Sequence, residues 1–168
     1  MEASKWRVFK DMISIVEATS DQMGLVRDFF REYQSWLNVD VCFQGFEEEL
    51  ANLPDRYVAP KGAIYLAYED GTAIGCVAIR PTEDSDEAEL KRLFIRDAYR
   101  GHGIGNKLFL AAIEGARNKG YAAMVLETLP IMKAAKSLYQ GYGFTKINSY
   151  TNNSDADVEC YRYQFDHA

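Results

Sequence analysis

The run Arg100-Gly101-His102-Gly103-Ile104-Gly105 is where residue type and spacing carry the clearest chemistry in this sequence. Glycines permit backbone φ values that other residues resist, and they place no Cβ between the amides and an approaching ligand. Directly after them, Ile104, Leu108, Ala111, Ala112 and Gly115 or Ala116 recur at helical spacing as far as Lys119, with Gly120 as the stop. A helix that starts inside a glycine run leaves its first amides unpaired. Those amides and the helix's partial positive charge make a site for phosphate or pyrophosphate, to which Arg100 adds a charge-assisted contact. The same six residues also fit an ordinary glycine-rich helix start, so the surrounding elements decide between the two.

A dinucleotide fingerprint, and with it a nicotinamide-dependent oxidoreductase, is the competing chemistry. That pattern needs Gly or Ala where this chain has Asn106, although Glu127 falls near the place of the ribose-binding acid. The fingerprint also opens its domain, whereas here a good deal of chain precedes the loop. Residues 13–18 alternate apolar and polar with β-branched side chains, a strand pattern. Thr19-Ser20-Asp21 supplies an N-cap, and Met23, Val26, Phe29, Phe30, Tyr33, Trp36 and Leu37 follow at three- and four-residue steps, which predicts an amphipathic helix. A short helix over 46–53 stops at Pro54. Residues 63–69 and 72–80 form two strands joined by the tight turn Asp70-Gly71. The acidic stretch 83–87 is a solvated loop, and a strand over 88–95 then feeds the glycine run. Beyond the long helix come a strand at 124–128, a helix at 131–142, Gly143-Phe144 before a further strand, a polar turn-rich stretch at 148–157 and a final strand at 158–165. This order predicts a mixed sheet covered by helices.

Composition bounds the rest. At 168 residues and 48% hydrophobic, the chain supports one substantial core and a single domain over residues 1–168. A formal charge of −6 speaks against nucleic acid as a partner. No stretch approaches the roughly 20 apolar residues of a membrane helix, so the expectation is a cytoplasmic protein with no membrane partner. Cys42, Cys76 and Cys160 are widely spaced and form no CxxC pair, which suggests neither a disulfide frame nor a zinc site; Cys42 and Cys76 read as small core residues. His102 and His167 are far apart, so no metal is expected. The apolar content of the final strand raises the expectation of a homodimer.

The segment Glu89-Leu90-Lys91-Arg92-Leu93-Phe94-Ile95-Arg96-Asp97-Ala98-Tyr99, continuing into the glycine run, and the later Leu138-Tyr139-Gln140-Gly141-Tyr142-Gly143-Phe144 resemble the GNAT superfamily of N-acetyltransferases. With the hairpin and first helix in the same order, the resemblance covers about residues 13–165. It implies an α/β (α+β) GNAT fold, a mixed and mostly antiparallel central sheet of six to seven strands flanked by about four helices. It implies acetyl-CoA as co-substrate, its pyrophosphate held by the amides of Arg100, Gly101, His102, Gly103, Ile104 and Gly105. Main-chain groups of Leu93, Phe94 and Ile95 would pair with the pantetheine arm like an added strand. Many members carry an asparagine that contacts pantetheine seven residues before the tyrosine; this chain has Met132 there.

The mechanism implied is direct attack of a primary amine on the thioester, with an amide near Leu93 stabilising the oxyanion. Tyr139 is the candidate acid, since a phenol of pKa about 10 holds its proton at neutral pH. An alkylammonium costs roughly 4–5 kcal/mol to deprotonate at neutral pH, so a base is expected. Glu89, four residues before Leu93 and on the same face under period-two alternation, is the candidate. The aromatic segment 33–46 and the cations Arg80 and Arg92 are candidates for acceptor recognition, and an amino acid or small polyamine is the expected acceptor. The rivals are a catalytically silent acyl-CoA-binding regulatory module and an acetyltransferase acting on protein N-termini or lysines.

Overall fold

The computed structural model describes residues 12–37, 43–84, 86–150 and 158–166. Cys42, His167, residues 38–42 of the aromatic segment and residues 151–157 of the polar stretch lie outside that set. The elements run β1 (Ile13–Glu17), α1 (Met23–Leu37), α2 (Phe43–Ala51), β2 (Ala63–Glu69), β3 (Thr72–Pro81), β4 (Glu87–Ile95), α3 (Ile104–Asn118), β5 (Ala123–Thr128), α4 (Lys133–Tyr142), β6 (Thr145–Ile147) and β7 (Glu159–Gln164). Each was expected from periodicity, within a few residues at its ends. The second helix starts three residues earlier than expected and ends before Pro54, because Asn52 turns its Nδ2 back onto the Glu48 carbonyl at 2.8 Å. The fourth begins at Lys133 rather than at 131, the residues before it forming a turn closed by the Met132 amide on the Leu129 carbonyl at 2.9 Å.

The strands make one seven-stranded sheet in the order β1-β2-β3-β4-β5-β7-β6. Every described pairing is antiparallel except β4 with β5. Helices cover both faces, which is why β3 is buried along nearly its whole length instead of alternating. On one face Leu108, Phe109, Ala112, Ile113 and Ala116 of α3 pack with Tyr139 and Phe144 on the sheet. On the other, Val26, Phe29 and Phe30 of α1 and Phe46 and Leu50 of α2 pack on Ile64, Leu66, Cys76 and Phe94. Each fully buried side chain of this size contributes roughly 1.5–3 kcal/mol. The final strand is internal, between β5 and β6, and its Cys160 and Tyr161 are buried within the chain. Those two side chains serve the chain's own core.

Where β3 meets β4, Gly75 lies against the opposite backbone: an added Cβ would fall 2.7 Å from the Phe94 carbonyl oxygen and 2.8 Å from Ile95 Cδ1. Backbone cannot yield as a flexible side chain does. Gly75→Ala is expected to lower stability by about 1–3 kcal/mol, whereas Gly24→Ala in α1, with nothing within 4 Å of the new Cβ, holds or raises Tm. Thermal unfolding of the two variants checks this; equal melting temperatures would show the approach is not tight.

Candidate active site

The site begins where β4 parts from β5. The two strands pair in parallel only from Glu87↔Ala123 to Leu90↔Leu126, so the β5-facing edge of β4 from Lys91 onward has no strand partner among the described residues. A cleft of about 580 Å³ opens there, between this wedge and the layer of α1 and α2. On its other edge β4 carries a bulge: the register with β3 shifts between Cys76 and Ala78, and Arg92 has φ +60°. Positive φ is costly for a long side chain and persists only where surrounding contacts hold it. Here the Cys76 thiol donates to the Arg92 carbonyl at 3.2 Å, and the guanidinium is tied to α2.

That bulge corrects one expectation. Leu93 packs against the α3 layer, while Glu89 and Arg92 face the layer of α1 and α2. The extra residue breaks period-two alternation, so Glu89 and Leu93 lie on opposite faces of the strand and not on the same one.

The α2-facing wall of the cleft is a charge cluster. Glu49 of α2 bonds Arg92 Nη2 at 2.7 Å and Arg80 Nη1 at 3.4 Å, and it accepts from the Tyr57 hydroxyl. Glu89 accepts from Arg80 Nε at 2.8 Å on one oxygen and from the Tyr150 hydroxyl at 2.6 Å on the other. Burial pushes both carboxyls toward the neutral form, yet Arg92 and Tyr57 around Glu49, and Lys91, Arg80 and Tyr150 around Glu89, leave both pKa values below the ordinary glutamate range. Both are carboxylates at neutral pH. Arg80 and Arg92, candidates for acceptor recognition, are both salt-bridged, the plainer account of each arginine. Glu49, Tyr57 and Tyr150 were not singled out by sequence, because their partners lie 8 to 61 positions away and no spacing rule links them.

At the other end of β4 the chain turns through residues 97–99 into the glycine run. Gly101 (φ +82°) and Gly103 (φ +77°) adopt left-handed conformations, and nothing lies within 4 Å of a Cβ built on either. Gly103 is the N-cap of α3, no side chain caps it, and the first helical bond runs from the Lys107 amide to the Gly103 carbonyl at 3.2 Å. Open space therefore faces uncapped amides, which fits a diphosphate. Arg100 is placed differently from the rest of the run. Its amide donates to the Asp97 carbonyl at 3.3 Å, its Nε donates to the Ile95 carbonyl at 2.9 Å, and its guanidinium stacks 4.3 Å from the Trp36 ring centroid.

Residues 26–144 match the Acetyltransferase (GNAT) family. The chain belongs to the GNAT acetyltransferase family. An uncharacterized N-acetyltransferase of Schizosaccharomyces pombe is 33% identical over 147 residues, 87% of this chain and 88% of its own. The N-acetyltransferase YjgM of Escherichia coli is 31% identical over 138 residues, 81% of each chain. Among solved structures, a GNAT-family acetyltransferase of Staphylococcus aureus aligns with a TM-score of 0.76 at 22% identity over 90% of this chain and 98% of its own. The PaiA N-acetyltransferase of Thermoplasma acidophilum, determined in complex with coenzyme A, aligns with a TM-score of 0.69 at 18% identity over 91% and 99%. At such identities the structural likenesses speak for the fold.

In this GNAT acetyltransferase Tyr139 lines the cleft from the α4 side, its ring 5.5 Å from Phe109 and 6.1 Å from Phe144. Burial, with a smaller push from Tyr33, holds its phenol well above the ordinary tyrosine value, so it is protonated at any working pH. Its hydroxyl bonds no described residue. Met132 stands at the N-cap of α4 and accepts the Thr128 hydroxyl on its sulfur at 3.7 Å. No helix among the described residues is long and apolar enough to cross a membrane, and among them no group of three or more His, Cys, Asp or Glu side chains could hold a metal ion.

The charge cluster sets an acid limb. Because the folded pKa values of Glu49 and Glu89 lie below the usual 4.5, unfolded chains bind more protons as pH falls through that value. Their stabilisation is complete above it and is lost as pH drops through the lowered folded values. Glu49→Gln strands Arg92, so it is expected to cost about 3–5 kcal/mol at neutral pH and to flatten the loss of stability between about pH 5 and pH 3. Denaturant unfolding across that range checks both; an unchanged acid limb would show that Glu49 is not among the groups that set it.

Proposed function

We propose that the protein transfers an acetyl group from acetyl-CoA to the primary amine of a small molecule in the cytoplasm, by direct attack. The observation that carries this reading is the meeting of two open backbone surfaces on one segment: the unpartnered edge of β4 and, nine residues past its end, the uncapped start of α3. Amides of Gly101, His102, Gly103, Ile104 and Gly105 are proposed to hold the pyrophosphate, with Arg100 contributing charge, since its own amide is committed to Asp97. Main-chain groups of Leu93, Phe94 and Ile95 are proposed to line the pantetheine arm, the Ile95 carbonyl being shared with Arg100. When bound, acetyl-CoA supplies an acyl group activated as a thioester.

The remaining work falls to side chains. Tyr139 is proposed to give its hydroxyl proton to the departing sulfur; its raised pKa keeps that proton in place until it is needed. Leu93, at the parting of the strands, is proposed to offer its amide to the oxyanion. Glu89 is proposed to draw the amine's proton away through water. Both its oxygens already accept hydrogen bonds and its pKa is low, so it holds the proton only in passing and acts mainly by attracting the ammonium.

A thiol-release assay with acetyl-CoA against small amines, amino acids and lysine-bearing peptides is expected to give turnover with at least one small amine. Coenzyme A binding with no release from any amine would leave only a silent binding module, and release confined to peptides would move the acceptor to proteins. Tyr139→Phe is expected to lower kcat about 100-fold with KM for acetyl-CoA changed by less than about threefold. Full turnover in that variant across the pH range would remove the tyrosine from the mechanism. Gly103→Val forces a side chain onto a left-handed backbone and is expected to weaken coenzyme A at least about tenfold by calorimetry. Unchanged affinity would take the pyrophosphate away from that loop.

A further inference from the structure

One cation in the cleft is left without a bonded partner, and it describes the acceptor. On the wall formed by β3, β4 and α2, Glu49 and Glu89 are consumed by Arg80 and Arg92, each carboxylate bonding at least one guanidinium. Lys91 lines the same cleft, and its ammonium, which feels Glu89 and Glu49 through space, makes no hydrogen bond or ion pair with any described residue. Burial, with Arg92 and Arg80, pulls its pKa down to about 8, while Glu89 and Glu49 pull the other way; it is still an ammonium at neutral pH. Arg92 is also incompletely used. Only its Nη2 is bonded, and its Nε is the single buried side-chain donor among the described residues left without an acceptor. Buried donors, and ammonium groups above all, are normally paired, so an unbonded ammonium beside a guanidinium with a donor to spare points to a ligand anion.

The bulge explains why the two cations are together. In a regular strand Lys91 and Arg92 would project to opposite faces; the extra residue brings both to the α2 side. We propose that the acceptor is an amine carrying a carboxylate, and that this carboxylate seats on the Lys91 ammonium, beside the Arg92 guanidinium. The assignment rests on the transferase reading above and narrows it. A phosphate dianion would be repelled by Glu49 and Glu89, which flank the seat. Glu127, which has interactions of its own, lines the β5 wall of the same cleft. An amino acid would thus find cations for one end and, in Glu127 and Glu89, carboxylates for the other.

The test compares the wild-type enzyme on matched pairs of amines: α-, β- and γ-amino acids against their primary amides and their decarboxylated counterparts. The expected result is a kcat/KM at least about tenfold higher for one or more carboxylate-bearing members than for their partners. Lys91→Met should shrink that preference to within about threefold, chiefly through KM, and Lys91→Arg should keep it. Release that favours the amides or decarboxylated amines overturns the carboxylate seat and leaves the transferase reading standing. A preference that survives Lys91→Met overturns the placement on Lys91. Release from no amine of either kind, with coenzyme A still binding by calorimetry, overturns the transferase reading and this assignment with it.

Discussion

A parallel pair of strands that separates after four residues is the constraint on which the rest of the molecule depends. In the middle of a sheet, an unpaired run of N–H and C=O groups is normally forbidden, since each buried group without a partner costs as much as a lost hydrogen bond. The chain tolerates it because what surrounds β4 is otherwise complete. On the β3 side, antiparallel pairing resumes at Phe94 and Ile95 beyond the bulge. At its end, Arg96 clamps Glu32 of α1 with two bonds of 3.0 and 2.9 Å and also donates to the Ala73 carbonyl. Glu49 of α2 holds Arg92. The open edge is therefore held from the β3 side, from α1 and from α2 while its β5-facing groups have no strand partner among the described residues.

Electrostatics inside the cleft are set by individual side chains and not by the charge of the whole chain. A net charge of −6 leads one to expect attraction for cationic acceptors, and as a statement about long-range steering it stands. Recognition, however, is decided by charges that have lost their water. There Arg56, Arg80, Lys91 and Arg92 stand among Glu48, Glu49, Asp55, Glu89 and Glu127, so the placement of each charge, and not their sum, does the selecting. Burial magnifies each of these interactions, because those screened at the surface are several times stronger in a low-dielectric cavity.

How much of this was legible in the sequence depends on how far apart the cooperating residues lie. Elements whose signals are local were readable: the Asp70-Gly71 hairpin, the apolar stripe of α1 and the glycine run that opens α3 all rest on spacings of a few residues. Glu89 and Tyr139 were also legible, through the motifs in which they sit, and both line the cleft. The bulge was not. Nothing in Glu89-Leu90-Lys91-Arg92-Leu93 marks an extra residue, since Arg92 has no intrinsic liking for positive φ and is held there by Cys76 across the sheet and Glu49 from α2. Lys91 was passed over for the same reason: on an unbulged strand it is a solvated lysine, and only the tertiary pairing of its neighbours leaves its ammonium without a bonded partner.

The protonation states in the cleft sort its residues by purpose. Cys76, which braces the bulge, and Tyr139, which lines the cleft, are buried and kept neutral by desolvation, so they add no charge to be neutralised. Glu49, Glu89, Arg80 and Arg92 are buried and charged, and each is stabilised by a partner of opposite sign. Lys91 belongs to neither class, being charged at neutral pH against the pull of its surroundings. A protein selected for stability alone would place an apolar side chain there. Keeping an ammonium at that point lowers the stability of the empty protein, which is the cost a site proposed to hold an anion would carry. Preorganisation of this kind is local: it needs the bulge to aim the cation, the paired arginines to fix the wall, and the parted strands to leave room for the ligand.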